Sequence, residues 1–304
     1  MYFKIAHTLI ETIDFAPEEM PEHFLRFRYC ADGKAAEVSA ETSADVQTEE
    51  DRIRYQFAYR ENLSPPSDPP RYRTQRLWLY AQDDLETRVL WIPGDTAPYA
   101  VYREVKEGEN LVEIRSSARK WMKTDTMFVS LLALERQMIK RGGLVLHCSF
   151  LDAGGSALLF SGPSGIGKTT QAQLWVREKG ARIINGDRAL LLPGAHGWTA
   201  WGWPVCGSSM DCMAQSRPLG HIVFLDQGDS NQIQTLSMAA AVKRLAAQTT
   251  INSWNPAFIG RAWDLLEDLA GQIPICRLIC TPDERAVETL EKWKRETENF
   301  GILP

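Results

Sequence analysis

The feature that most constrains this 304-residue chain is a glycine-spaced run, Gly162-Pro163-Ser164-Gly165-Ile166-Gly167-Lys168-Thr169. Glycines at 162, 165 and 167 permit torsions and close approaches that a Cβ blocks. The run follows Ala157-Leu158-Leu159-Phe160, a nearly continuous apolar segment of the kind buried on both faces of a sheet. It precedes a helical stretch from about Lys168 to Lys179, with Gly180 past its end. Strand, glycine loop and helix in that order match G-x-x-x-x-G-K-[ST], the P-loop motif. Such a loop wraps its amides around an anion, and the first helical turn adds unsatisfied N–H groups and the positive end of the helix dipole. Lys168 brings a full positive charge for β- and γ-phosphates, and the Thr169 hydroxyl is a hard oxygen donor suited to Mg²⁺. Residues Gly162 through Thr170 are therefore the expected nucleotide contacts. A glycine-rich turn with an incidental Lys-Thr pair is the bland alternative.

A second signal lies downstream. Ile183-Ile184-Asn185-Gly186-Asp187-Arg188 is a short apolar strand ending in an acid. Ligands of α/β sheets sit off the carboxyl ends of strands, so Asp187 is a candidate metal ligand beside Thr169. Arg188 is divided between phosphate contact and a surface ion pair. His147, expected at the end of the strand before the loop's own strand, reads as a packed histidine. If the two strands are neighbours, its ring approaches the phosphates, where it can relay a proton or orient an acid.

Two grammars divide the chain. Residues 1–123 read as a β-rich domain. Arg52–Tyr59 alternates polar and apolar residues, and strand candidates follow at 76–80, 88–92, 99–102 and 110–114, separated by turn residues. The spacing predicts an antiparallel meander. Ser64-Pro65-Pro66-Ser67-Asp68-Pro69-Pro70 is an exposed extended connection. A single helix is predicted over Thr124–Lys140, ending at Gly142-Gly143. Residues 124–304 then alternate strand and helix: strands at 144–148, 157–160, 182–184, 222–225 and 273–280, helices at 168–179, 238–248, 257–270 and 282–294. This predicts an α/β domain.

Composition narrows the function classes. The net charge is -5, with the excess acid in residues 1–140, where 24 Asp and Glu face 19 Lys and Arg. A general nucleic-acid or anionic-membrane binder is usually basic, so neither partner is expected. No segment approaches the ~20 apolar residues of a membrane span, and Met1–His7 lacks the pattern of a secretory signal. Six cysteines without a C-x-x-C pair suggest reduced thiols and a cytoplasmic protein. Cys206/Cys212 and Cys276/Cys280 are read as strand packing rather than metal ligands. Trp198, Trp201 and Trp203 suit a hairpin packed on the sheet or a platform for adenine or peptide. Trp254, Trp263 and Trp293 read as core. Arg71, Arg73 and Arg76 are a solvated strand face or an acidic-peptide contact, and Arg217 and Arg277 are candidate transition-state stabilisers.

The stretch Leu146-His147-Cys148, then Leu159 through Thr170, then Ile184-Asn185-Gly186-Asp187-Arg188 resembles the HPr kinase/phosphorylase family, which shares its P-loop fold with ATP-dependent phosphoenolpyruvate carboxykinase. The resemblance covers residues 142–190. It implies an HPr kinase/phosphoenolpyruvate carboxykinase-like C-terminal α/β domain that binds ATP and Mg²⁺ and transfers a phosphoryl group to a hydroxyl. By position, Lys168 and Thr169 would hold the triphosphate and its metal, Asp187 would be the second of two adjacent acids, and His147 the upstream histidine. The family's first acid, its acceptor-activating base, is replaced here by Gly186, which leaves Asp187, His147 or Asp211 as the base. The expectation is a phosphotransferase with Lys168, Asp187 and His147 as catalytic residues and a peptide or protein acceptor. A small-molecule kinase and a nucleotide-binding sensor without transfer stand as alternatives. The sequence allows a homo-oligomer without specifying one.

Overall fold

A computed structural model describes residues 1–29, 52–207 and 209–299. The fold is mixed α/β with two large sheets, and its contacts divide it into Met1–Leu134 and Glu135–Pro304. The expected boundary at 123/124 falls one helix before this division.

In the first unit, strands β1 (Tyr2–Ile5), β2 (Thr8–Ile13), β3 (Arg28–Tyr29), β4 (Arg52–Arg60), β5 (Tyr72–Arg73), β6 (Leu77–Gln82), β7 (Leu85–Leu90), β8 (Ala100–Lys106) and β9 (Glu109–Arg115) form one sheet. Their order is β3-β1-β2-β4-β9-β8-β7-β6-β5. From β5 to β9 it is the expected meander. The antiparallel description fails at β4, which runs parallel to both neighbours, β2 and β9. The reason is long-range: β4 enters between strands from opposite ends of the unit, which periodicity within a segment cannot specify. Alternation does place its faces. Ile53, Tyr55 and Phe57 are buried, while Arg52 and Arg54 reach Glu11 at 2.5 and 2.8 Å on the other face.

The short helix α1 (Glu22–Leu25) and α2 (Asp125–Leu132) cover the apolar face. Phe128 of α2 meets Phe24 edge-on at 4.9 Å and Phe15 at 5.4 Å between ring centroids, and Tyr55 Oη donates to Leu132 O at 2.6 Å. The single helix expected over 124–140 is instead two. Ala133 adopts a left-handed conformation, φ 46°, and α3 (Leu134–Lys140) starts afresh. Alanine gives no local warning of this, since tertiary packing and not propensity imposes the break.

The second unit contains β10 (Leu144–Asp152), β11 (Ala157–Ser161), α4 (Lys168–Lys179), β12 (Arg182–Asn185), β13 (Arg188–Gly194), β14 (Gly197–Gly202), β15 (Ser216–Gln227), β16 (Gln232–Thr235), α5 (Met238–Gln248), α6 (Pro256–Gln272), β17 (Ile275–Cys280) and α7 (Glu284–Asn299). The strand order is β11-β10-β13-β14-β15-β17-β16, with β12 on β10 and a parallel β11–β15 pairing. Successive residues of β11 and β15 serve opposite cores. Leu159, Ile222 and Phe224 pack with Val242 and Leu245 of α5 and Leu266 and Leu269 of α6. Leu158, Phe160, Val223 and Leu225 pack with Leu174 and Trp175 of α4 and Val287 and Leu290 of α7. Helices on both sides explain why these strands read as unbroken apolar runs.

Three tryptophans depart from their expected settings or refine them. Trp198 is buried, its Nε1 donating to Asp268 at 2.9 Å, as the packed hairpin requires. Trp254 sits in a turn, not a helix. Trp263 is 41% exposed, so its expected core role is corrected; it lies on the outer side of α6. Cys148, Cys206, Cys212 and Cys276 are buried free thiols and Cys280 is half-buried. Cys30 and Ser208 lie outside the described residues. Among the described residues, no helix is long and apolar enough to cross a membrane.

Candidate functional site

The site is assembled at the carboxyl end of β11. Strand β11 is buried throughout, and the chain leaves it into Gly162–Gly167 before α4 begins at Lys168. Gly162, Gly165 and Gly167 all have left-handed φ, 146°, 79° and 113°. The three glycines serve different ends. A Cβ at Gly162 would meet Ile166 Cγ2 at 3.2 Å and Leu225 O at 3.5 Å, so this glycine lets the loop lie against β15. A Cβ at Gly165 or Gly167 would meet nothing within 4 Å, leaving the loop open on that side.

Lys168 folds back over its own loop. Its Nζ donates to Gly162 O at 3.0 Å and Pro163 O at 3.1 Å, and the residue is buried. No described carboxylate forms an ion pair with it. Burial pulls its ammonium below the usual lysine value, with Asp187 opposing from beyond ion-pair distance. Thr169 and Thr170, the next residues of α4, are exposed.

His147 and Asp187 arrive from neighbouring strands. Strand β10 pairs antiparallel with β11, Cys148 opposite Ser161, and Ser161 Oγ donates to His147 O at 2.8 Å. The strands are neighbours, as the approach of His147 to the loop requires. The residue lies in the middle of β10 rather than at its end, because the strand continues to Asp152. Asp187 occupies the turn between β12 and β13, both of which pair with β10, and its carbonyl accepts Cys148 N at 3.0 Å. His147 Nε2 lies 3.7 Å from Asp187 Oδ1, and its Nδ1 contacts Gln248 Oε1 at 3.2 Å. Burial first, then the Lys168 charge, holds the imidazole below its usual value, against the Gln248 hydrogen bond and the Asp187 carboxylate. The ring is therefore neutral near pH 7, with Nδ1–H directed to Gln248 and the Nε2 lone pair available as an acceptor. Arg188 Nε reaches Asp187 Oδ2 at 3.1 Å and its Nη1 donates to Thr250 Oγ1 at 3.0 Å.

Asn185 holds the turn, a role beyond the sequence reading. It is fully buried. Its Oδ1 accepts from the amides of Asp187 and Arg188, each at 2.8 Å, and its Nδ2 donates to Trp203 O at 2.7 Å and Val205 O at 3.0 Å. The Asn-Gly-Asp triplet is the local signal for such a side-chain-capped turn. Gly186 has a different cause from conformational freedom. An added Cβ would fall 1.8 Å from Ser209 Oγ and 2.5 Å from Ser209 Cβ. Ser209 is fixed there by donating to Cys206 O at 3.0 Å and accepting from Asp211 N at 3.2 Å. The position that an acid at 186 would use is filled by this loop. Asp211 contributes its carbonyl to Gly186 N at 3.2 Å.

Two other candidates are corrected. Arg217 pairs with Asp152 at 2.7 Å, beside the turn that precedes β11. Arg277 pairs with Asp226, which also receives Arg244 at 3.3 Å. Both guanidiniums are engaged by carboxylates, so their charges are compensated within the fold.

A family model described as SynChlorMet cassette protein ScmC matches residues 111–278, more than half of the chain. The chain belongs to the ScmC family. The match runs from β9 into β17 and includes the glycine loop, Asp187 and His147. A search of curated proteins finds no match. A solved structure described as the Hpr(Ser) kinase/phosphatase from Coxiella burnetii aligns over 51% of this chain and 93% of its own length. The identity is 10% and the TM-score 0.31, values too low to carry an argument about fold or activity.

Proposed function

We propose that this ScmC-family protein is an ATP- and Mg²⁺-dependent kinase that transfers the γ-phosphoryl group to a hydroxyl of a peptide or protein. One observation carries the reading: Lys168, buried at the start of α4, has carbonyls but no described carboxylate as partners. A buried cation without a counter-charge is costly unless a ligand supplies one. The surrounding chemistry fits a triphosphate. The loop is open at Gly165 and Gly167, and the helix N-terminus adds its dipole. It also fits Mg²⁺ bound in part by substrate. Thr169 and Asp187 offer hydroxyl and carboxylate oxygens, the hard donors Mg²⁺ takes one or two at a time beside phosphates.

Residues Gly162 to Thr170 would cradle the phosphates, with Lys168 on the β- and γ-phosphates, and Thr169 and Asp187 would hold the ion. ATP supplies the transferred phosphoryl group, and Mg²⁺ the neutralisation of its charge. The acceptor oxygen forms the new bond to phosphorus as the bond to ADP breaks. His147, neutral with an available Nε2, takes the hydroxyl proton, and Asp187 stabilises the imidazolium that results. These roles belong to the C-terminal unit, Glu135–Pro304, the kinase-like domain of a cytoplasmic protein.

A second reading is favoured by Gly186. With its acid position filled by Ser209, the site suits binding without transfer, as in a nucleotide sensor. Calorimetry of Mg-ATP with wild type and Lys168→Ala, followed by transfer of label from the γ-phosphate to acceptor peptides and metabolites, separates the readings. Lysine-dependent heat with labelled peptide supports the peptide kinase; labelled metabolite selects a small-molecule kinase. Heat without label selects the sensor, and absence of heat overturns all three.

A further inference from the structure

The N-terminal unit carries three exposed arginines without a described carboxylate partner, one of them lining a groove. Arg73, Thr74, Trp78, Trp91, Pro93 and Asp95 line an open cavity of about 850 Å³. Trp78 and Trp91 are tilted against one another with centroids 4.5 Å apart, and Arg73 Cζ lies 4.2 Å over the Trp78 ring. The wall is held in shape. Thr74 Oγ1 accepts from the amides of Leu77 and Arg76 at 3.0 and 3.2 Å, and Trp91 N donates to Arg76 O at 2.8 Å. Strand β5 is the last in the sheet order and pairs with β6 alone among the described strands.

Most described arginines elsewhere in the unit are paired. Arg52, Arg54, Arg60, Arg103, Arg115 and Arg119 each pair with a carboxylate. Arg71, Arg73 and Arg76 are exposed, and none has an ion pair with a described carboxylate. Asp95 is the acid in the groove, and Arg115 holds it at 2.8 Å. At this sheet edge Arg73 stacks on one of two partly exposed indoles, and Arg71 and Arg76 flank it in sequence, exposed and without a described carboxylate partner.

We propose that this groove binds an extended peptide segment carrying carboxylates beside a proline or aromatic ring. The edge of β5 suits an added strand, the indoles receive a flat ring, and the arginines pair with the flanking acids. Stacking rings and arginines also suit single-stranded nucleic acid. The acidic balance of residues 1–140 opposes a long polyanion, whereas a short peptide engages the local arginines alone.

The inference is independent of phosphoryl transfer and is tested by binding. The probe is a fluorescein-labelled dodecapeptide of Glu, Pro and Phe, read by anisotropy against full-length protein at low salt. Its Gln-for-Glu and Lys-for-Glu versions and an oligo(dT) of similar length are the comparisons. The acidic peptide should bind at least ten-fold more tightly than either peptide control and more tightly than oligo(dT). Arg73→Glu/Arg76→Glu, both exposed, should weaken it at least ten-fold with unchanged thermal stability. Trp91→Ala, if folded, should do likewise. Lys168→Ala should bind the peptide as wild type does, even if it has lost Mg-ATP. Equal affinity for the acidic and Gln peptides, tighter binding of oligo(dT), an unaffected arginine double variant, or loss of peptide binding in Lys168→Ala would each overturn the assignment.

Discussion

Cations are treated differently on the β4–β9 face of the N-terminal unit and at the glycine loop. On β4, Arg52 and Arg54 share Glu11, and Arg60 shares Glu113 of β9 with Arg103. Each carboxylate sits between two guanidiniums, so every one of these cations has an acidic partner within the chain. At the loop, Lys168 is more buried than any of these arginines yet meets only carbonyl oxygens. The arginines are paired within the chain, whereas Lys168 is left without a described carboxylate at a cost in stability, as the proposed anion-binding role requires.

The sharpest way to break this contrast is at Lys168. Lys168→Ala should weaken Mg-ATP binding at least ~100-fold, the loss of about 2.7 kcal/mol or more expected for a charge-assisted contact. Its melting temperature should stay the same or rise, because an uncompensated buried charge is removed. Calorimetry and a thermal melt measure both; retained affinity with a lower melting temperature would place Lys168 among the structural cations.

A buried residue that the fold keeps neutral supplies the next effect. His221, packed edge-on against Trp293 and near Lys294, has its pKa lowered by burial to about 4. The unfolded chain therefore binds this proton more readily than the folded one between pH 6.5 and 4. The stability it contributes is present above pH 6.5 and is lost as pH falls toward 4, up to a magnitude on the order of 3 kcal/mol. Denaturant melts across that window should show a smaller pH slope in His221→Gln than in wild type.

Gly186→Asp tests whether the filled position matters. Overpacking against Ser209 should destabilise the protein by about 1–3 kcal/mol, and adding Ser209→Gly should recover part of that loss. Full stability of the single variant would show that the 206–212 loop yields freely.

Glu11→Gln should have the smallest effect, about 1 kcal/mol, since Arg54 is well exposed and such pairs are screened by salt. Burial works against the Glu11 charge, but Arg54 and Arg52 hold its carboxyl below the usual value. Its contribution is therefore present above pH 4.5 and is lost as pH falls below that. Melts of wild type and variant in low and high salt should converge as salt rises, with Mg-ATP affinity unchanged.

What the sequence made legible was local. The glycine spacing, the apolar run of β11 and the cap at Gly180 specify a strand, a loop and a helix within about 24 consecutive residues, and the helix spans Lys168–Lys179 as expected. Strand β4 is visible through alternation, and β6, β8 and β9 as short strand candidates separated by turn residues. The missed elements depend on distant partners. β1 and β3 are too short to show a period and exist through pairing with each other and β2. At the site, Gln248 reaches His147 from 101 residues away, and no segmental pattern announces such a contact. Gly186 looked like the loss of an acid; only the fold reveals that Ser209 occupies its space.

That occupancy imposes an order on evolutionary change. An acid at 186 collides with Ser209 as it now stands, and the loop holding Ser209 also supports the amide of Asp211. A lineage acquiring a paired-acid turn loses less stability by trimming residue 209 first, tolerating a small void, and then substituting the glycine. The reverse route begins with a collision.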